Sequence, residues 1–78
     1  MEMHQLRYAV AVARSRNFYR AAEQCHVARP SLSQQILNLE DELGGRLFDR
    51  MKREVKLTSH GEVFLRRAVR ILGEVDAA

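Results

Sequence analysis

Residues 18–43 read FYRAAEQCHVARPSLSQQILNLEDEL, and this stretch limits the possible folds more than any other in the chain. Phe18, Ala21, Ala22 and Cys25 recur at helical spacing and share one face. The adjacent alanines carry so little side chain that a second helix can approach closely there. Residues 26–28 leave room only for a tight turn, with Val27 facing inward. Beyond the turn, Leu32, Ile36, Leu39 and Leu43 follow at intervals of 4, 3 and 4 residues, the period of a helix with one buried stripe. At 100° per residue, Pro30, Gln34, Asn38 and Asp41 project from the opposite side, with Ser33 and Leu37 at its edge. The stretch therefore predicts two helices joined by a turn, the second apolar on one face and neutral and polar on the other.

The flanks complete a small domain. Leu6, Ala9, Val10 and Ala13 predict a first helix over about 4–15. Ser15-Arg16-Asn17 ends it, and Asn17 is a good N-cap for the second helix, because its amide oxygen accepts from free backbone N–H groups. The third helix opens at Arg29-Pro30, where a proline is tolerated in the first turn. Gly44-Gly45 closes it, one of the two being expected in the left-handed conformation. Leu47-Phe48 and Val55-Lys56-Leu57 are short strand candidates around residues 51–54, a β-hairpin with a basic tip. A last helix runs from about residue 59 to the end, capped by Thr58 or Ser59, with Ser59 and Glu62 spaced as a capping box. In it Phe64, Leu65, Ala68, Val69, Ile71, Leu72 and Val75 cover an arc of about 160°. That is wider than one contact on a small domain needs. One part of the arc is expected to pack on this domain and the other on a second copy of the helix.

Seventy-eight residues make one folding unit, marginal in stability unless it oligomerises. Residues 7–35 carry five arginines against Glu23 alone. Residues 46–56 carry five basic side chains against Asp49 and Glu54, and Glu40-Asp41-Glu42 lies between the two segments. Two basic segments beside a neutral polar helix face suit a polyanion. A single cysteine excludes an intramolecular disulfide and fits a reducing compartment. The longest apolar run, residues 8–13, is far below the roughly 20 residues of a membrane span. The start MEMHQLR has no signal-peptide pattern, so a cytoplasmic location is expected.

The third helix carries the functional reading. A merely solvated helix presents Lys and Glu for pairing at i,i+4. Here the first two turns present Arg29, Pro30, Ser31, Ser33, Gln34, Gln35 and Asn38. Amides pair with the adenine edge and hydroxyls with base or phosphate, while a helix N-terminus attracts phosphate. The Glu40–Glu42 acids sit at the far end, which a helix entering a groove by its N-terminus leaves outside. Arg50, Met51, Lys52 and Arg53 at the hairpin tip would touch phosphates or reach into the minor groove. The expected DNA-binding set is Arg29, Pro30, Ser31, Ser33, Gln34, Asn38, Arg50, Lys52 and Arg53. The competing reading is a helical dimerisation module, driven by the residue 64–75 face, whose basic segments serve solubility. RNA fits less well, because Tyr8, Phe18, Tyr19, Phe48 and Phe64 lie mostly on core-facing stripes.

Other chemistry finds little support. Cys25 falls on an inward face, without the partner a redox thiol needs. His4, His26 and His60 match no zinc spacing, and Gly44-Gly45 lacks the lysine of a P-loop. No acid/base pair is evident, so neither enzyme activity, a bound metal nor a cofactor is expected.

Taken in order, these residues resemble the N-terminal DNA-binding domain of LysR-type bacterial transcriptional regulators. The resemblance covers nearly the whole chain. It rests on Leu6 and Tyr8, Asn17-Phe18, Ala21-Ala22-Glu23, HVARPSLSQQILNLEDELG from residue 26 to 44, and LFDRMKREVKLTSHGEVFL beyond it. It implies a mainly α, winged helix-turn-helix domain over residues 1–58, with three helices and a short hairpin wing. A linker helix over 59–78 pairs with its twin through Phe64, Leu65, Ala68, Val69, Ile71, Leu72 and Val75. It further implies a homodimer on double-stranded DNA with an interrupted palindrome, a tetramer remaining open for the longer protein. The family's base-reading positions fall on Arg29, Pro30, Ser33 and Gln34, and its wing arginines on Arg50 and Arg53. Family members carry a C-terminal effector domain, so an effector would act outside these residues and the chain looks like a fragment. Cys25-His26-Val27 and LEDELG share the wording of the peroxide-sensing subgroup, whose sensing cysteines lie in that other domain. The chain departs from the pattern at Ala28, where a capping serine is common, at Arg29, where glutamine is usual, and at Gln34, where arginine is frequent.

Overall fold

The structure is a computed structural model that describes residues 1–51 and 54–77. The elements run α1 (Met3–Ser15), α2 (Phe18–Gln24), α3 (Arg29–Leu43), β1 (Phe48–Asp49), β2 (Lys56–Leu57) and α4 (Ser59–Ala77). The strands pair antiparallel, with Phe48 opposite Leu57 and Asp49 opposite Lys56. The four helices and the hairpin agree with the pattern in the sequence, although each strand keeps only two residues.

Helix α1 is the centre of the packing. Its Ala9 and Val12 join Ala21 and Ala22 of α2, Leu32, Ile36 and Leu39 of α3, and Leu47 and Phe48 at the wing base in one core. Its Leu6 and Val10 join Leu65, Ala68 and Leu72 of α4 in a second. A helix covered on two sides buries more than one stripe, so Val12 is fully buried while Ala13, on the expected stripe, is only half-buried. Full burial of one Leu or Ile side chain contributes about 1.5–3 kcal/mol. Leu32, Ile36 and Leu39 together therefore hold α3 against α1 and α2.

The helix ends follow local chemistry. Asn17 Oδ1 accepts from the Arg20 N–H at 3.0 Å, capping α2. The α2–α3 turn closes when the Val27 N–H donates to the Ala22 carbonyl at 3.0 Å and the His26 N–H to that of Glu23 at 3.2 Å. His26 takes a left-handed φ of 57° there, a conformation that costs a residue with a Cβ about 1–2 kcal/mol. Gly44, at φ 77°, ends α3 in the same conformation without that cost. Ala28 precedes α3 with no side chain to cap it. At α4 the cap is Thr58, whose Oγ1 accepts from the Gly61 N–H at 2.9 Å and donates to the Arg46 carbonyl at 2.6 Å. Ser59 is thus the first helical residue, and the expected box with Glu62 gives way to Thr58 with Gly61. Gly61 is needed for space, since a Cβ there would collide with the Leu47 carbonyl.

One buried group adds to the sequence reading. Glu40, read from the sequence only as one of three acids at the far end of α3, is just 2 % exposed. It sits one turn after Ile36 and points toward the wing. Its carboxylate accepts from the Leu47 N–H at 2.8 Å, Arg46 Nη1 at 3.0 Å and Arg50 Nη2 at 3.1 Å. It thereby satisfies a backbone donor that β1 pairing leaves free and ties the wing base to α3. At the other end of the chain, Arg7 on α1 donates to Asp76 on α4 at 2.9 Å, and that guanidinium holds the Asp76 carboxyl below its ordinary range.

Two stability predictions follow from these contacts. Glu40→Ala leaves the Leu47 N–H buried without an acceptor, and denaturant unfolding should show a loss of at least about 1–3 kcal/mol. Ala28→Ser supplies the missing cap and should raise stability by about 0.5–2 kcal/mol in the same measurement.

Candidate nucleic-acid interface

The two faces of α3 are sharply divided. Leu32, Ile36 and Leu39 have no exposed surface. Arg29, Pro30, Ser31, Gln34 and Asn38 are exposed, with Ser33 and Leu37 half-buried at the margin. The predicted polar residues therefore form one outward ridge about two turns long. Gln34 Nε2 donates to Asn38 Oδ1 at 2.9 Å, one turn apart. That bond leaves the Gln34 carbonyl and the Asn38 amide hydrogens available to a ligand. Gln35 leaves the ridge, because its side-chain carbonyl accepts from Gln5 Nε2 at 3.0 Å, a bond between α3 and α1. Asp41 and Glu42 are exposed at the C-terminal end, and Glu42 pairs with the Met1 amino group at 2.8 Å, which raises that amine's pKa.

The first turn of α3 has a second layer. The Arg29 guanidinium lies over the Tyr19 ring of α2, 4.4 Å from its centroid. With Ala28 giving no cap, the leading backbone donors of the helix point outward beside it. Positive partial charge, a guanidinium and a row of amides and hydroxyls thus share one surface with no acidic side chain in the first two turns.

The wing divides the predicted cations. Arg50 sits at its base, held by Glu40 and 5.1 Å from the centroid of the Phe18 ring. It is anchored there instead of standing free at a tip. Arg46, also on Glu40, keeps its head largely in solvent. Met51 is almost fully exposed, and its N–H donates to Asp49 Oδ1 at 3.0 Å. Lys52 and Arg53, the other predicted wing cations, lie outside the described residues. Position within the helix could have revealed the role of Glu40: it shares the core face with Ile36, and basic residues follow six and ten positions later.

The apolar residues of α4 divide as well. Leu65, Ala68 and Leu72 are buried against α1 within the same chain, and Phe64 packs half-buried on both cores. Contact with α1 thus already covers Leu65, Ala68 and Leu72, three of the residues expected to face a second copy. Val69, Ile71 and Val75 are 43 %, 39 % and 42 % exposed, and Val63, outside the predicted set, is 47 % exposed. Burial raises the Cys25 thiol pKa, opposite to a reactive thiolate. Among the described residues there is no group of His, Cys, Asp or Glu that could hold a metal, and no helix long and apolar enough to cross a membrane.

Comparison with known proteins fits this geometry. Residues 3–62 match the family model described as bacterial regulatory helix-turn-helix protein, lysR family. The HTH-type transcriptional regulator BudR of Klebsiella aerogenes is 53 % identical over 78 residues, all of this chain and 54 % of that protein. The Hca operon transcriptional activator HcaR of Escherichia coli K12 is 51 % identical over 78 residues, again all of this chain but 26 % of that protein. The chain thus spans between a quarter and about half the length of these curated relatives. The crystal structure of the BenM_DBD/catB site 1 DNA complex superposes with a TM-score of 0.96 at 45 % identity, covering 99 % of this chain and 86 % of that one. The chain belongs to the lysR family of bacterial regulatory helix-turn-helix proteins.

Proposed function

We propose that this chain is the sequence-specific DNA-binding domain of a transcription regulator, acting as a homodimer on an interrupted palindrome of double-stranded DNA. One observation carries the proposal. The neutral polar ridge of α3 stands outward along its first two turns, and the opposite face is sealed in the core. Such a helix fits the major groove, its N-terminal residues meeting base edges and phosphates. Ser31, Ser33, Gln34 and Asn38 supply hydroxyl and amide contacts, and Pro30 offers an apolar surface beside them. Arg50 at the wing base, with Lys52 and Arg53 as expected from the sequence, grips the backbone or the minor groove. The solved DNA complex of BenM_DBD supports this reading through its similarity in sequence and fold.

Two copies pair through the exposed Val69, Ile71 and Val75 of α4, with Phe64 at the edge of that contact. Pairing sets two α3 helices about one or more DNA turns apart, a turn being ~34–36 Å. Higher assembly, to a tetramer, belongs to the longer protein. The chain works in the cytoplasm without a catalytic step and without a cofactor of its own, and any effector acts elsewhere in that protein.

Titration against a random duplex pool at low salt tests the reading. Retention of an interrupted palindrome is expected, with log K falling by about 0.9 per phosphate contacted as log salt rises. Gln34→Ala should cost about 1–3 kcal/mol and relax the preference at one position of each half-site. Unchanged affinity and preference in that variant would remove Gln34 from the groove. No retention of any duplex would leave α4 pairing as the chain's activity.

A further inference from the structure

We propose that Tyr19 is a positioning residue that holds Arg29 ready to read a guanine in each half-site. The inference rests on the DNA-binding reading above and names the base that its first contact selects. Tyr19 is 65 % exposed on α2, so its ring adds little to the core. Its contact is the guanidinium of Arg29, 4.4 Å from the ring centroid across the α2–α3 turn. Stacking on an aromatic face suits a planar guanidinium and leaves the N–H groups along its edge free to bond in the plane.

Arg7, Arg16, Arg46 and Arg50 each meet a carboxylate, of Asp76, Glu54, Glu40 and Glu40 respectively. Arg29 forms no ion pair and no side-chain hydrogen bond among the described residues. Arg14, Arg20, Arg66, Arg67 and Arg70 are likewise without an ion pair among the described residues, but of these unpaired arginines it is Arg29 that lies on an aromatic ring. Arg29 is the first residue of α3, at the end that enters a groove. A long side chain usually surrenders much rotamer freedom on binding, and the Tyr19 ring restricts that freedom in advance. The edge so presented matches the O6 and N7 acceptors of guanine, which arginine contacts in a bidentate manner. A phosphate would accept the same N–H groups but would not distinguish one duplex from another.

Selection of duplexes from a random pool, with the wild-type chain and the variants Arg29→Gln, Tyr19→Ala and Tyr19→Phe, decides between these contacts. At one position of each half-site the wild type should prefer guanine. Arg29→Gln should reduce the preference by about 5- to 150-fold and move it toward adenine, the base a glutamine side chain pairs with. Tyr19→Ala should lower discrimination at that position about two- to five-fold, the weight of a solvent-exposed cation–π contact, and leave the other positions and the melting temperature unchanged. Tyr19→Phe keeps the ring and should behave as the wild type. If Arg29→Gln weakens all duplexes alike, Arg29 sits on phosphate and the assignment fails. A wild-type selection profile in Tyr19→Ala would remove Tyr19 from it. Failure of the wild type to retain any duplex would instead overturn the DNA-binding reading, and this one with it.

Discussion

The seating of Leu32, Ile36 and Leu39 against α1 and α2 governs the rest of the molecule. A helix of 3.6 residues per turn that buries one stripe this completely has no freedom to rotate about its axis. The direction of Gln34 and Asn38 is therefore set by apolar burial on the far side of the same helix. Ala21 and Ala22 lie buried in the same core, where a larger side chain would force α2 away from its neighbours. Small residues at one contact thus fix the aim of polar residues a helix diameter away.

A second fastening joins the same helix to the wing. Glu40 leaves the same helix on its core side and gathers Arg46, Arg50 and the Leu47 N–H. A lone buried carboxylate would be costly, but one with several donors around it is stable and directional. It locks the wing base to α3. Arg50 is consequently less a free phosphate-seeking cation than part of the joint that orients the wing.

Much of this was legible in the residues, and what was missed has common causes. The Asn17 cap, the left-handed Gly44 and the three helical stripes depend on neighbours within a turn or two, and these are written directly in spacing and side-chain type. Glu40 lies in an acidic run that resembles solvated charge until its partners six to ten residues away fold back onto it. Gln35 was placed on the ridge because its bond to Gln5 crosses between helices. Val12 was missed because α1 is covered from two sides, a fact of tertiary packing that one stripe cannot express. The broad apolar arc of α4 was read as having two uses, and it does divide between a buried set on α1 and an exposed set. Which residues belonged to each set depended on where α1 crosses it. The left-handed turn at His26 had no glycine to announce it.

Chemical-shift mapping of the backbone amides during titration with a retained duplex addresses the orientation of α3 most directly. Shifts should concentrate on residues 29, 31–34 and 38 and on the hairpin, while the amides of Leu65, Ala68 and Leu72 stay in place. Shifts confined to α1 and α4, with the outer face of α3 silent, would contradict a groove-facing ridge.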